Sequence, residues 1–496
     1  MEKGWSSTFT GLFALFALLL GETAIEAASR RESGLERKLR EHIEILASDA
    51  FEGREPGTDG ETKTLRYLAR EWFEIGLVSG TNDPGNEWFM PVSIVARSPV
   101  AWSASFNRRN RPVAFDSGSI FLVTSGKRSL VREAPLLFVG KGGIAGLSEV
   151  DLAGKIAVLL EGDRSDVERQ NALLAAGASA VLTVLDGPRT LEEVAARRHR
   201  TVYTLADDGI GGDLEGFIAA EAFEQLLRPT SYSLDDLKQL AQEPGKAPLD
   251  LGLTGTLEAT SSAIRIVSHN LIGKIPGKRP EAGAVLLVSH WDHFGHCAPN
   301  GAQDPTCNGA VDNASGIAAL TEIARGLVRG RRYDRDIYFL ASTAEEFGLL
   351  GAHAFAENPP VPLSKIVAAF NLDSVAIAPK GTPLAIVGKG MTPLDAGIAE
   401  VAKRNRRRIV AGDEANEYVK RQDGWALLQH DVPTVMVTSA YGKIDLMRKF
   451  FGTHYHRPSD DLSHELELGG AAEDVEFHDA LVRWFADRAK FPTPVK

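Results

Sequence analysis

From Ile264 onward, short and mostly apolar runs recur along the chain: Ile264 to Val267, Val285 to Val288, Ile337 to Ala341, Ile366 to Phe370, Leu384 to Val387 and Thr434 to Val437. Runs of this length, rich in β-branched and aromatic residues, predict strands. Helical stripes lie between most of them. In the clearest, Ile317, Leu320, Ile323, Ala324 and Leu327 share one face of a helix expected over 313–327, and a last helix is expected over 473–489. Such alternation predicts an α/β fold: a mainly parallel mixed sheet with helices on both faces. In sheets of that kind, sites form at the carboxyl ends of the strands.

The first half of the chain reads differently. Leu35, Leu39, Ile43 and Leu46, then Leu65, Leu68, Trp72 and Ile75, predict two helices around a Gly-rich turn at 51–61, and Trp88 to Val95 reads as a short strand. Strand-like runs at 120–123, 135–139, 155–160 and 179–184, with a helix at 167–176, predict a small α/β insert. Residues 227–250, rich in Pro, Ser, Asp and Lys, read as its exit linker. The chain's 496 residues exceed one ordinary core. The expected division is 31–115 and 255–496 as one main domain, interrupted by the insert at 116–245.

Residues 1–28 carry Lys3, an apolar stretch from Leu12 to Leu20 and small residues around Ala24, Ala27 and Ala28. This is the layout of a secretory signal, with an uncleaved anchor as the alternative. No later segment approaches membrane length, so the mature chain is expected without a stable span, in the periplasm or secreted. The only two cysteines, Cys297 and Cys307, stand ten positions apart. In an exported protein they are expected to be bridged, with free or metal-binding thiols as the alternative. The net charge of −11 argues against nucleic acid as a partner. The sequence does not specify an oligomeric state.

The candidate chemistry falls at the strand ends. After the run at 285–288 come His290 and Asp292. Residues two apart in an extended chain point to one side, so Asp292 could accept a hydrogen bond from the His290 ring nitrogen that a metal does not use. Asp312 stands at the mouth of the following helix, where an N-cap is the bland alternative. Glu345 and Glu346 follow the run at 337–341, Asp373 follows 366–370, and His454, His456, Asp460 and Asp461 cluster near the end. Each alone is an ordinary loop or surface residue. Five separate stretches each delivering His, Asp or Glu suggest a metal centre with nitrogen and oxygen donors, which suits zinc, with manganese or cobalt as substitutes.

The stretches SHWDHFG, NGAVDNASG, STAEEFGLLG, FNLDSV and YHRPSDD, in that order and spacing, resemble the co-catalytic di-zinc exopeptidases, which include bacterial leucyl aminopeptidases and the glutamate carboxypeptidase group. ILASDAFEGREPGTDGE resembles the N-terminal portion of that family. LFVGKGG and DLAGKIAVLLEGD resemble its inserted protease-associated domain. The resemblance implies two zinc ions. His290 and Asp373 would hold one, Glu346 and His456 the other, and Asp312 would bridge them. Glu345 would be the general base and Asp292 the partner of His290. One departure is Gly424, in Arg421-Gln422-Asp423-Gly424, where the family often has His. The implied activity is that of an exported aminopeptidase acting on peptides. The alternatives are a carboxypeptidase, a glutaminyl cyclase or a catalytically inactive, receptor-like relative. The motif stretches are acidic, with Glu345, Glu346 and Asp373 joined by Asp413, Glu414 and Glu417 in the chain before Arg421, which favours the aminopeptidase.

Overall fold

The computed structural model describes residues 32–81, 88–141, 152–162, 166–206, 213–243, 248–298, 301–330 and 332–492. The expected signal segment, 1–28, lies outside the described residues. The strands that carry the candidate chemistry are β1 (Phe89–Arg108), β2 (Leu249–Ile275), β3 (Ala284–His290), β4 (Asp336–Ser342), β5 (Ile366–Asn371), β6 (Ala385–Val387) and β7 (Thr434–Thr438). They lie in the order β6-β7-β5-β3-β4-β2, with β1 against β2. β3 runs parallel to β4 and β5, and β5 parallel to β7. β2 and β6 run antiparallel to their neighbours β4 and β7.

The central strand shows why a nearly unbroken apolar run is needed. Side chains alternate across a strand. Val285 and Leu287 point into a core shared with α1 (Gly34–Leu46), α2 (Asp59–Ile75), α3 (Gly316–Val328) and α5 (Leu468–Phe485). Leu286 and Val288 point the other way, into a second core with Phe355 of α4 (Leu350–Glu357) and Leu427. All seven residues of β3 are buried.

Two expectations are corrected here. The short strand at 88–95 is the start of β1, which runs to Arg108 and pairs with β2 from Leu271 back to Thr254. This long ribbon leads out of the central sheet, where β2 also pairs with the insert strand Arg128–Phe138. Along β2 many buried and accessible positions alternate, so the run at 264–267 marks only a small part of its length. The stretch at 227–250 is not simply a linker: Leu234–Leu240 is a helix, started by a capping box between Ser233 and Asp236. A separate buried core gathers Phe106, Leu136, Ile156, Leu182 and Phe223.

The N-terminal helices are fixed to α3 by a buried polar network. His42 Nε2 lies 3.1 Å from Glu322 Oε1, His42 Nδ1 lies 2.5 Å from the Tyr67 hydroxyl, and Arg325 donates to both Glu322 and Glu71. Burial pushes the Glu322 carboxyl up, but hydrogen bonds from His42 and Arg325 outweigh it and hold the group down at about 2. A depressed carboxylate stabilises the fold above its ordinary value near 4.5, and that contribution is lost as pH falls toward 2. Glu322→Gln is therefore expected to destabilise by roughly 1–3 kcal/mol at pH 7. In thermal melts the gap from wild type should narrow between about pH 4.5 and pH 2.

Candidate metal centre

Three parallel strands deliver the site. β3 ends at His290, the turn after β4 carries Glu345 and Glu346, and Asp373 lies two residues beyond β5. His290 and Asp312 are 2% and 3% exposed. His290 Nε2 lies 3.3 Å from Asp312 Oδ1 and 3.6 Å from Asp373 Oδ1. His456 Nε2 lies 3.4 Å from Asp312 Oδ2 and 3.0 Å from Glu346 Oε2. One carboxylate thus faces two groups of donors, one oxygen to each. Glu345 Oε2 stands 4.0 Å from His290 Nε2. The structure therefore gathers His290, Asp312, Glu345, Glu346, Asp373 and His456 into one centre.

Asp292 is adjacent but acts differently from expectation. The nearest acceptor to His290 Nδ1 is the backbone oxygen of Asp292 at 3.2 Å, while its carboxylate is 3.8 Å away. That carboxylate instead accepts from the backbone N–H groups of Glu345, at 3.1 Å, and Glu346, at 3.4 Å. Asp292 therefore orients the turn that carries the glutamate pair. The helix after Asp312 also begins later than expected, at Gly316. Asp312 is not its N-cap. Asn313 fills the gap: its Oδ1 accepts from Gly316 N, and its Nδ2 donates to Ser289 Oγ and Leu372 O. A Cβ on Gly316 would stand 2.2 Å from that Oδ1, so only glycine fits.

Four residues that the sequence reading gave no role complete the scaffold. Arg54, fully buried, donates to the carbonyls of Leu46, Trp291, Asn308 and Gly309, tying the N-terminal turn to the loops on both sides of the centre. Asp460 accepts from the backbone of Val311 and Asp312. Asn313 links β3 to the segment after β5. The fourth, His293, is 0% exposed and reaches Glu346 Oε1 at 3.4 Å. Cys297 and Cys307 are disulfide-bonded across the short pairing of Gly295–His296 with Thr306–Cys307.

The electrostatics call for cations. Burial raises Glu345 well above the usual carboxylate range, and the charges of Glu346, Asp373 and Asp423 add to it. Glu346 is pushed up to about 8 by burial and by Asp312. Burial alone would lower His456, but Asp312 and Glu346 raise it to about 9. Among the described residues, His290 Nε2, His293 Nε2, Glu346 Oε1 and His456 Nε2 are buried atoms with no hydrogen-bond partner. Orphaned donors and crowded carboxylates are costly when buried. Metal ions between them would relieve both costs. Among the described residues, two donor groups are compact enough to hold one: His290, Asp312 and Asp373, and His293, Asp312 and Glu346.

The rim is aromatic. Tyr455 stacks on His456 with ring centres 3.6 Å apart, and the Arg421 guanidinium lies over Phe451, Tyr455 and Tyr418. Tyr203, from the insert strand Val202–Leu205, stacks on Phe347 beside the glutamate pair, with ring centres 3.8 Å apart. Glu417, one of the acidic residues before Arg421, pairs with Arg448.

The chain from residue 270 to 474 matches the family model described as Peptidase family M28. Over this region the chain is similar to the peptidases of that family. Its curated relatives include a vacuolar membrane protease of Candida glabrata, 34% identical over 104 residues, which are 20% of this chain and 10% of that protein. Aminopeptidase YwaD of Bacillus subtilis is 27% identical over 230 residues, 45% of this chain and 40% of that protein. The chain thus spans about a tenth of the length of the vacuolar relatives it matches. Among solved structures, an aminopeptidase from Aneurinibacillus sp. strain AM-1 superposes with a TM-score of 0.53 at 18% identity, covering 91% of this chain and 93% of that one. That likeness is one of fold. The matched region contains each strand end that carries a candidate donor, from His290 to His456.

Proposed function

We propose that this chain is an exported two-zinc aminopeptidase that removes N-terminal residues from peptides. The observation that carries the reading is Asp312, whose two carboxylate oxygens face separate donor groups 3.3 and 3.4 Å away. His290 and Asp373 would hold one ion, Glu346 and His456 the other, with Asp312 shared. Bound there, two zinc ions would polarise the scissile carbonyl and make water a stronger acid. Glu345 Oε2, beside His290, would take the proton of the attacking water and pass it to the leaving amine nitrogen. Asp292 holds the backbone of Glu345 and Glu346 and so fixes where both carboxylates stand. YwaD, similar over 45% of the chain, bears the name aminopeptidase, which supports the same reading. The disulfide supports an oxidising compartment.

The choice of peptide end rests on charge. A carboxypeptidase needs arginines free to clamp a terminal carboxylate. Arg457 is committed to the carbonyls of Gly452 and Thr453 at a helix end, which leaves Arg421, held over three aromatic rings, as a single arginine where a clamp needs convergent ones. The centre itself is rich in carboxylates, which suit an incoming ammonium group. Peptides and nitroanilides with a free amino terminus should be hydrolysed, N-acetylation should abolish turnover, and C-terminal amidation should be tolerated. Cleavage of acetylated peptides with refusal of amidated ones would identify a carboxypeptidase instead.

A further inference from the structure

We propose that His293 is a metal ligand, closing a four-donor cage of His293, Asp312, Glu346 and His456 around one ion, while the ion on His290, Asp312 and Asp373 keeps an open position. The proposal rests on the two-zinc reading above and adds a donor to it.

His293 Nδ1 lies 2.9 Å from the carbonyl oxygen of Cys307. A carbonyl only accepts, so Nδ1 carries the hydrogen, and in the neutral ring Nε2 presents a lone pair. That lone pair is fully buried and has no hydrogen-bond partner. It faces Glu346 Oε1 at 3.4 Å, which also has no partner. When Glu346 is ionised, two acceptors look at each other across a buried gap, an arrangement that a shared cation resolves. Donor atoms of His293, Asp312 and Glu346 all lie within 4.8 Å of one another. A carbonyl behind the ring is the usual way to fix the tautomer of a metal-ligating histidine.

The surroundings hold this carbonyl still. Cys307 is bridged to Cys297, and Arg54 grips the next two carbonyls, Asn308 and Gly309. Gly53 packs so closely that a Cβ there would stand 2.6 Å from the same Cys307 oxygen. A zinc with four protein donors resembles a closed structural site, whereas one with three keeps room for water or substrate. The two ions should therefore be held with unequal strength.

The test uses His293→Asn, whose side-chain amide keeps a donor near the Nδ1 position and removes the Nε2 donor. Zinc affinities are measured by stepwise competition with a chelator, and the melting temperature of the metal-free protein monitors the fold. X-ray absorption at the zinc edge counts imidazoles. The proposal expects two unequal zinc sites and three imidazoles per two zincs in the wild type. In the variant, the tighter site should weaken by more than ~100-fold, beyond the ~10–100-fold that outer-shell changes cost. A smaller loss, or two imidazoles per two zincs in the wild type, overturns it. If the variant folds poorly, the imidazole count of the wild type decides alone. Wild-type protein holding fewer than two zincs would overturn the two-zinc reading as well, whereas two zincs with two imidazoles would overturn only the role of His293.

Discussion

Glu345→Gln is expected to keep the fold and both metals and to lower kcat by roughly 10²–10⁴-fold, the usual cost of removing a general base. The change is nearly isosteric. What it removes is proton affinity at an atom 4.0 Å from His290 Nε2. The backbone hydrogen bonds from Glu345 and Glu346 to Asp292 do not depend on the side chain, so the turn should stay in place. The neighbouring Glu346→Gln is the control with the opposite signature. Glu346 lies between His293 and His456, at 3.4 and 3.0 Å, and its loss should release metal. Metal content and kcat measured on both variants separate base from ligand. Near wild-type turnover in Glu345→Gln would show that the base is another group.

Asp312→Asn should cost more than either. Its carboxylate is the one group that faces both donor sets, and the substitution removes the charge and one of the two oxygens. Zinc content should fall below one ion per chain and hydrolysis should drop to background. The backbone of Asp312 is held independently by Asp460 and Arg54 secures the adjacent loop, so circular dichroism should report an intact fold. Two zincs retained by Asp312→Asn would remove the shared position from the account.

The gathering of His290, Asp312, Glu345, Glu346, Asp373 and His456 was legible because a parallel sheet brings its strand ends together, and most of these residues follow a recognisable apolar run. The central strands were legible for the same reason: burial on both faces leaves a continuous apolar signature. Of the β1–β2 ribbon only the pieces at 88–95 and 264–267 were legible, because elsewhere accessible Ser, Thr and Arg are mixed with the apolar residues. Arg54 was hidden by distance. It acts on carbonyls more than two hundred residues away, and one arginine in a Gly-rich turn gives no local sign of burial. His293 stood next to Asp292 in SHWDHFG, but the strand ends at His290, so the two-residue alternation that picked out Asp292 no longer applied. The Asp292 role was misread through the same assumption. The chain turns after His290, and the Asp292 carboxylate meets the 345–346 backbone in place of the imidazole. Asn313 and Asp460 bind backbone groups, a role that no spacing rule marks.

Zinc titration of the metal-free protein tests the central claim most directly, with hydrolysis of an unblocked aminoacyl-nitroanilide as the readout. Activity should be absent at the start and rise until two equivalents of zinc per chain have been added, then stay level. Full activity at one equivalent, or activity in the metal-free protein, would contradict the two-zinc centre built around Asp312.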